Sequence, residues 1–254
     1  MEQHNKIIND TAKRILKPAG LFRVGSSRLW IEDNGYFFTV VDFESSGYTK
    51  GTYLNVGIDF LWGDIQDNNE YLKYEIGGRV IVGKGTQFVE YRPNLKNCDA
   101  IFERDIEKFA NTALLKVMEY RKYHDLDYAK KMLIRAVEDT PQKMQCWELY
   151  RLAMLCFFKG DYEEGKSYFY DYLDLTRNSF YKTVTVIQGT KKTTKTVHID
   201  WLEEFYHYCL NTIIPQIETA DNAQKMVYDK INKRRTIFSS KSSYRNMKKD
   251  ILYS

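Results

Sequence analysis

The sequence predicts an α+β protein in two parts: an N-terminal helix packed on an antiparallel β-sheet, then an all-helical C-terminal domain with an inserted β-hairpin arm. Three observations carry this reading. Alternating apolar and polar residues dominate as far as Tyr91, apolar residues at helical spacing take over from Cys98, and a short alternating stretch returns between Asn178 and His198. The chain has 254 residues, 43% of them hydrophobic and 28% charged, with 14 Gly and 4 Pro. That is ample for two ordered cores without metals or disulfides.

The first helix spans Asn5 to Leu16, where Ile7, Ile8, Ala12, Ile15 and Leu16 recur at three- and four-residue spacing before the stop signals Pro18 and Gly20. Strands follow at Arg28 to Ile31 and Tyr36 to Phe43, joined through Asn34-Gly35, a strong hairpin signal. A third strand runs from Thr52 to Trp62, with Leu54, Val56, Ile58, Phe60 and Trp62 on one face. Shorter strands at Arg79 to Val82 and Gln87 to Tyr91, linked by Gly83-Lys84-Gly85, complete a meander. One apolar sheet face and one amphipathic helix imply that the helix lies across that face. This part is expected to cover residues 1–95.

Leu16-Lys-Pro-Ala-Gly-Leu-Phe22, Ser27-Arg-Leu-Trp30 and Leu54-Asn-Val-Gly-Ile58 together resemble a bacterial domain-of-unknown-function family (family 4304). The resemblance covers about the first third of the chain and implies a fold but no activity. Gly78 to Lys84 also fits the G-x-x-x-x-G-K spacing of a phosphate-binding loop. Gly85 follows instead of Ser or Thr, and the intervening Arg-Val-Ile-Val reads as a strand, so nucleotide binding is not expected there.

The boundary is expected at Arg92 to Asn97, with a helical domain over residues 98–254. Leu126, Ala129, Leu133, Ala136 and Pro141, then Leu149, Leu152, Ala153, Cys156, Gly160, Tyr162, Gly165 and Phe169, resemble tetratricopeptide-like helical hairpins over residues 113–175. Small residues at Ala129, Ala153 and Gly165 would let paired helices approach closely. A generic pair of helical hairpins accounts for the same spacing. If the resemblance holds, the paired helices imply a protein or peptide partner, for which Tyr120, Trp147, Tyr150, Tyr162 and Tyr168 are the candidate contacts.

Residues 178–198 read as a hairpin arm or loop carrying Lys182, Lys191, Lys192 and Lys195, with no acid between Asp174 and Asp200. Helices resume from Asp200 to Ile214, stopped by Pro215, and from Asp221 to about Phe238. Residues 229–254 form a basic tail of eight Lys and Arg against two acids, with Phe238, Tyr244 and Tyr253 interleaved. Basic residues interleaved with aromatics suit phosphate contact and base stacking. The candidate nucleic-acid contacts are therefore Lys191, Lys192, Lys233, Arg234, Arg235, Lys241, Arg245, Lys248 and Lys249.

Other chemistries find little support. Cys98, Cys146, Cys156 and Cys209 form no C-x-x-C pair, and His198 and His207 are nine residues apart, on opposite sides of a helix, so no metal site is expected. Asp42, Glu44 and Asp59 sit on adjacent strands, and Asp42 and Glu44 share a face, as an acid–base pair would, but alternate charges also mark a solvent face. No catalytic residue and no cofactor is assigned. Apolar runs are too short to span a bilayer and the opening Met-Glu-Gln-His lacks a signal pattern, so a cytoplasmic protein without membrane contact is expected. The leading expectation is a protein-interaction module or adaptor. The alternative is a nucleic-acid-binding accessory protein using the tail and arm, and a third is an enzyme with an unrecognised site.

Overall fold

The computed structural model describes residues 2–63, 72–188 and 191–247, with the side chains of residues 143, 186–188 and 191 left out. The chain forms two compact units: one takes the described residues as far as His124 together with those from Ile231 onward, and the other is Asp125–Lys230.

The first unit opens with helix α1 (Gln3–Leu16). The helix closes as the sequence predicts: Gly20, at φ +96°, donates its N–H to Lys17 O at 3.1 Å, and Leu21 donates to Leu16 O at 3.2 Å. Strands β1 (Phe22–Arg23), β2 (Leu29–Asp33), β3 (Phe37–Ser45), β4 (Gly51–Phe60), β5 (Ile76–Arg79) and β6 (Phe88–Glu90) form an antiparallel sheet. The β2–β3 turn is centred on Gly35 and Tyr36, one residue beyond the expected Asn-Gly pair, because Asn34 already donates to Phe37 O at 3.0 Å. Gly35 at φ +89° supplies the left-handed first turn position. The last strands do not continue a meander. Both β5 and β6 pair with β4, along Asn55–Ile58 and Gly51–Tyr53 respectively, and Val82 forms only an isolated bridge with Thr86.

One face of the sheet presents Trp30, Val41, Phe43, Leu54 and Val56. Helix α1 covers it with Ile8, Ala12 and Leu16, but a second helix, α2 (Cys98–Tyr120), adds Phe102, Ile106, Phe109 and Ala113 to the same core. The compact unit therefore runs past the expected boundary at Arg92 to Asn97. A sheet face this wide exceeds what one 14-residue helix can cover.

Across the opposite face, strand register aligns Asp33, Phe38 and Asp59 in one row of β2, β3 and β4. The chain returns to cover this row. Helix α8 (Ala220–Ser239) ends in the first unit, where Phe238 meets Phe38 edge-on at 5.3 Å and packs against Tyr244 at 4.7 Å.

The second unit contains α3 (Leu126–Asp139), α4 (Cys146–Lys159), α5 (Tyr162–Arg177), the ribbon strands β7 (Tyr181–Gln188) and β8 (Lys191–His198), and α6 (Asp200–Tyr208). Helix α4 is buried without interruption from Leu149 to Phe158 apart from Arg151, the signature of a central helix. Helix α5 approaches it closely. A Cβ on Gly165 would lie 2.7 Å from Phe157 Cδ1, so only glycine fits there without displacement. The segment Cys209–Ile213 widens into a π turn before α7 (Ile214–Gln216), which accommodates Pro215. Proline lacks an N–H and crowds the preceding turn's carbonyl. No helix among the described residues is long and apolar enough to cross a membrane.

Candidate functional site

The most distinctive feature of the second unit is its β-ribbon. Val, Thr and Ile favour extended backbone, and β7 and β8 pair in unbroken register from Tyr181↔His198 to Gln188↔Lys191. The two strands form a sheet of their own, and among the described residues neither is paired with another strand. Eight residues per strand make it about 26 Å long. Lys182, Thr183 and Thr185 on β7 and Lys192 through Thr196 on β8 are exposed, whereas Val184 and Val197 are half-buried.

The ribbon's base is tied down. Ile199 donates its N–H to Phe180 O at 2.8 Å, and Phe180 packs edge-on against Tyr206 at 5.4 Å. His198 lies between Asp200 Oδ1 at 2.6 Å and Glu203 Oε2 at 3.3 Å, so the nearest acids are engaged at the base. By strand parity Lys182 and Lys195 share one face and Lys192 lies on the other, while Lys191 opens β8 opposite Gln188.

The described part of the basic tail is divided between buried and exposed residues. Arg234 donates from its two terminal nitrogens to Asp59 Oδ1 and Oδ2 at 3.1 and 2.8 Å, and to Phe60 O at 2.7 Å. Arg235 is paired with Asp33 and donates to Gly35 O at 3.2 Å. Both guanidiniums are buried, as are Phe238 and Tyr244. The two arginines are thus withdrawn from any external phosphate, and the two aromatics from base stacking: all four serve the packing over the Asp33, Phe38, Asp59 row instead. Lys233 and Arg245 are exposed and Lys241 is half-buried, while Lys248, Lys249 and Tyr253 lie outside the described residues.

The expected partner-binding aromatics are also divided. Tyr150 is only 2% exposed. Tyr162 donates its hydroxyl to the carbonyls of Ile217 and Glu218 at 3.0 and 2.9 Å. Tyr168 is half-buried, and Tyr120 belongs to the other unit, its hydroxyl too close to Gly77 to leave room for a Cβ there. Trp147 stacks on Trp201 at 6.0 Å and on Phe205 at 5.4 Å. Trp201 is 54% exposed, a surface aromatic that sequence spacing did not single out.

Asp42 and Glu44 have different hydrogen-bond partners. Asp42 accepts from the Tyr74 hydroxyl at 3.2 Å, and burial raises its carboxyl above the usual range. Glu44 instead accepts from Asn55 at 2.7 Å and Arg79 at 2.5 Å. Arg79, which pairs with Glu44, also acts on Asp42 through its charge. Asp59 is buried under Arg234, and burial, opposed by Arg234 and reinforced by Glu75, pushes it up to about 7.

In the second unit Cys156, Asp161 and Glu164 bring three ligand atoms together. Two lysines already hold the carboxylates: Lys130 Nζ donates to Asp161 Oδ2 at 2.6 Å and to Glu164, and Lys159 Nζ donates to Asp161 Oδ2 at 2.9 Å. Burial pushes the Cys156 thiol up to about 12. Cys98, Cys156 and Cys209 are buried free thiols, and Cys146 is half-buried. His198 and His207 lie on a strand and a helix respectively.

No known protein family, curated protein or solved structure matches the chain.

Proposed function

We propose that the chain is a binding protein whose contact element is the β7–β8 ribbon and whose partner is a nucleic acid held through its phosphate backbone. One observation carries this reading: a two-stranded ribbon has exposed side chains on both faces, among them Lys182, Lys192 and Lys195, its second strand starts at Lys191, and the sequence has no acid from Arg177 to Ile199. Lysines on edge strands discourage pairing with a further strand. The same charge attracts a polyanion, and the threonine hydroxyls at 183, 185, 193, 194 and 196 add donors for phosphate oxygens. A two-stranded ribbon also fits the major groove of duplex DNA.

Fluorescence anisotropy with a labelled duplex, measured across salt concentrations, tests the reading. Substituting Lys182, Lys192 and Lys195 together by Gln should weaken binding and flatten the salt slope by roughly 3, at about 0.9 for each phosphate no longer neutralised. Unchanged affinity and slope would reject the ribbon as the contact element.

A protein partner is the second reading, favoured by Trp201 lying exposed on the Trp147 stack. Trp201→Ala should then abolish capture of that partner while leaving nucleic-acid affinity intact.

A further inference from the structure

We infer that a groove in the first unit, between the Val82–Thr86 turn and the N-terminal half of α2, binds an amphipathic anion: an apolar chain or ring bearing a carboxylate or phosphate head. The groove has a volume of about 740 Å³, within the range of small-molecule sites. Its floor is Val82, Val89 and Phe109, all members of the unit's hydrophobic core. Its lip carries Leu95 and Ile101, which are 49% and 40% exposed. Apolar side chains left open above an apolar floor offer burial that a ligand tail would complete.

The charge around the groove has one sign in excess. Lys84, Arg92, Arg104 and Lys108 line it against two acids, Glu90 and Asp105. Both acids are already engaged: Glu90 accepts from Arg92 at 2.7 Å, and Asp105 accepts from Lys108 at 2.8 Å and faces Arg104 at 3.5 Å. Four cations against two acids leave a net positive rim.

Lys84 is the residue that gives G-x-x-x-x-G-K its final letter. It sits in a turn closed by the Val82–Thr86 bridge, between Gly83 and Gly85, whose φ values of +59° and +105° permit so tight a reversal. The next regular element is β6, not a helix, so no helix N-terminus cradles a nucleotide's phosphates. What the turn does supply is one cation at the groove's edge. On the other wall Ile101, Arg104, Asp105 and Lys108 recur at three- and four-residue spacing and so share one face of α2. The net positive rim repels a cationic ligand, and the apolar floor favours a ligand with an apolar part. A molecule with an anionic head and an apolar tail satisfies both walls.

Isothermal titration of the full chain with dodecanoate and dodecyl phosphate, both below their micelle concentrations, tests this. Inorganic phosphate and a dodecyl trimethylammonium salt serve as controls. Saturable binding of at least one anionic amphiphile is expected, with the preferred head identified by which binds more tightly. Ile101→Glu should weaken it by about tenfold or more, since it sets a carboxylate at the apolar lip. Lys84→Gln combined with Lys108→Gln should weaken it several-fold; both are surface positions, and Leu95→Asp provides a second lip variant should Ile101→Glu unfold. The inference is overturned if neither anion binds saturably, if the cationic amphiphile or phosphate alone binds as well, or if the folded variants bind like the parent. Binding here is independent of the ribbon, so a ribbon variant should leave it unchanged.

Discussion

Arg234 and Asp59 are 175 positions apart in sequence and meet in a two-pronged, fully buried ion pair. Its neighbour Arg235 reaches Asp33 in the same row of the sheet. Two adjacent arginines therefore fasten the last turns of α8 to two different strands, and Phe238 fills the space over Phe38 one turn later.

Arg234→Ala should destabilise the first unit by about 3 kcal/mol at neutral pH, because it leaves Asp59 buried without the cation that opposes its desolvation. Urea denaturation gives the value. The loss should shrink at pH 5, where Asp59 accepts a proton and no longer needs a cation. A penalty independent of pH would show that Asp59 stays ionised throughout.

The same carboxyl sets a pH dependence. Its folded pKa of about 7 lies above its ordinary value of 3.8, so the folded state holds the proton more tightly than the unfolded chain. Its contribution to stability is complete below pH 3.8 and is lost as pH rises through about 7. Asp42, raised by burial, acts in the same direction, and Asp161, lowered by its hydrogen bonds to Lys130 and Lys159, acts in the opposite one. Asp59→Asn should therefore flatten the decline in unfolding free energy between pH 4.5 and 7.5, about the span of the shift. Comparing the two proteins at each pH isolates this residue.

Gly165→Ala would set its Cβ 2.7 and 2.8 Å from ring carbons of Phe157 and 3.1 Å from Cys156 Cβ. Phe157 is itself buried, so its ring can move only by displacing its neighbours. Overpacking costs about 1–3 kcal/mol, while replacing a helical glycine by alanine returns about 1 kcal/mol. A net loss is expected in calorimetry, and Gly165→Leu should lose far more.

Thiol chemistry separates the cysteines from a metal site. Burial holds Cys156 and Cys209 at about 12, so neither should react appreciably with iodoacetamide at pH 8 until the chain unfolds. A chelator should leave the melting temperature unchanged, since the Lys130 and Lys159 ammonium groups pair with the carboxylates of the Cys156, Asp161, Glu164 cluster. A chelator-dependent fall in melting temperature would overturn that assignment.

Periodicity and turn chemistry made the local elements legible. Ile7, Ile8, Ala12 and Leu16 mark α1, Gly20 its end, the alternation of Leu54, Val56 and Ile58 marks β4, and the Lys- and Thr-rich alternation after Asn178 marks the ribbon with its charge. Those signals depend on neighbours a few residues away, so a linear reading finds them. It also suggested small residues for close helix packing, and Gly165 against Phe157 is such a contact.

Only the tertiary structure decided what these elements do. Phe102, Ile106 and Phe109 mark a helix as apolar on one face but do not say whose core it joins; the width of the sheet drew α2 into the first unit. Lys233, Arg234 and Arg235 read as one basic run, yet the first is exposed and the other two are buried, because only the latter pair meets Asp59 and Asp33 when the chain returns. A charge is a binding surface or a core contact according to what lies opposite, and for these residues that partner is set by strand register more than 170 positions away.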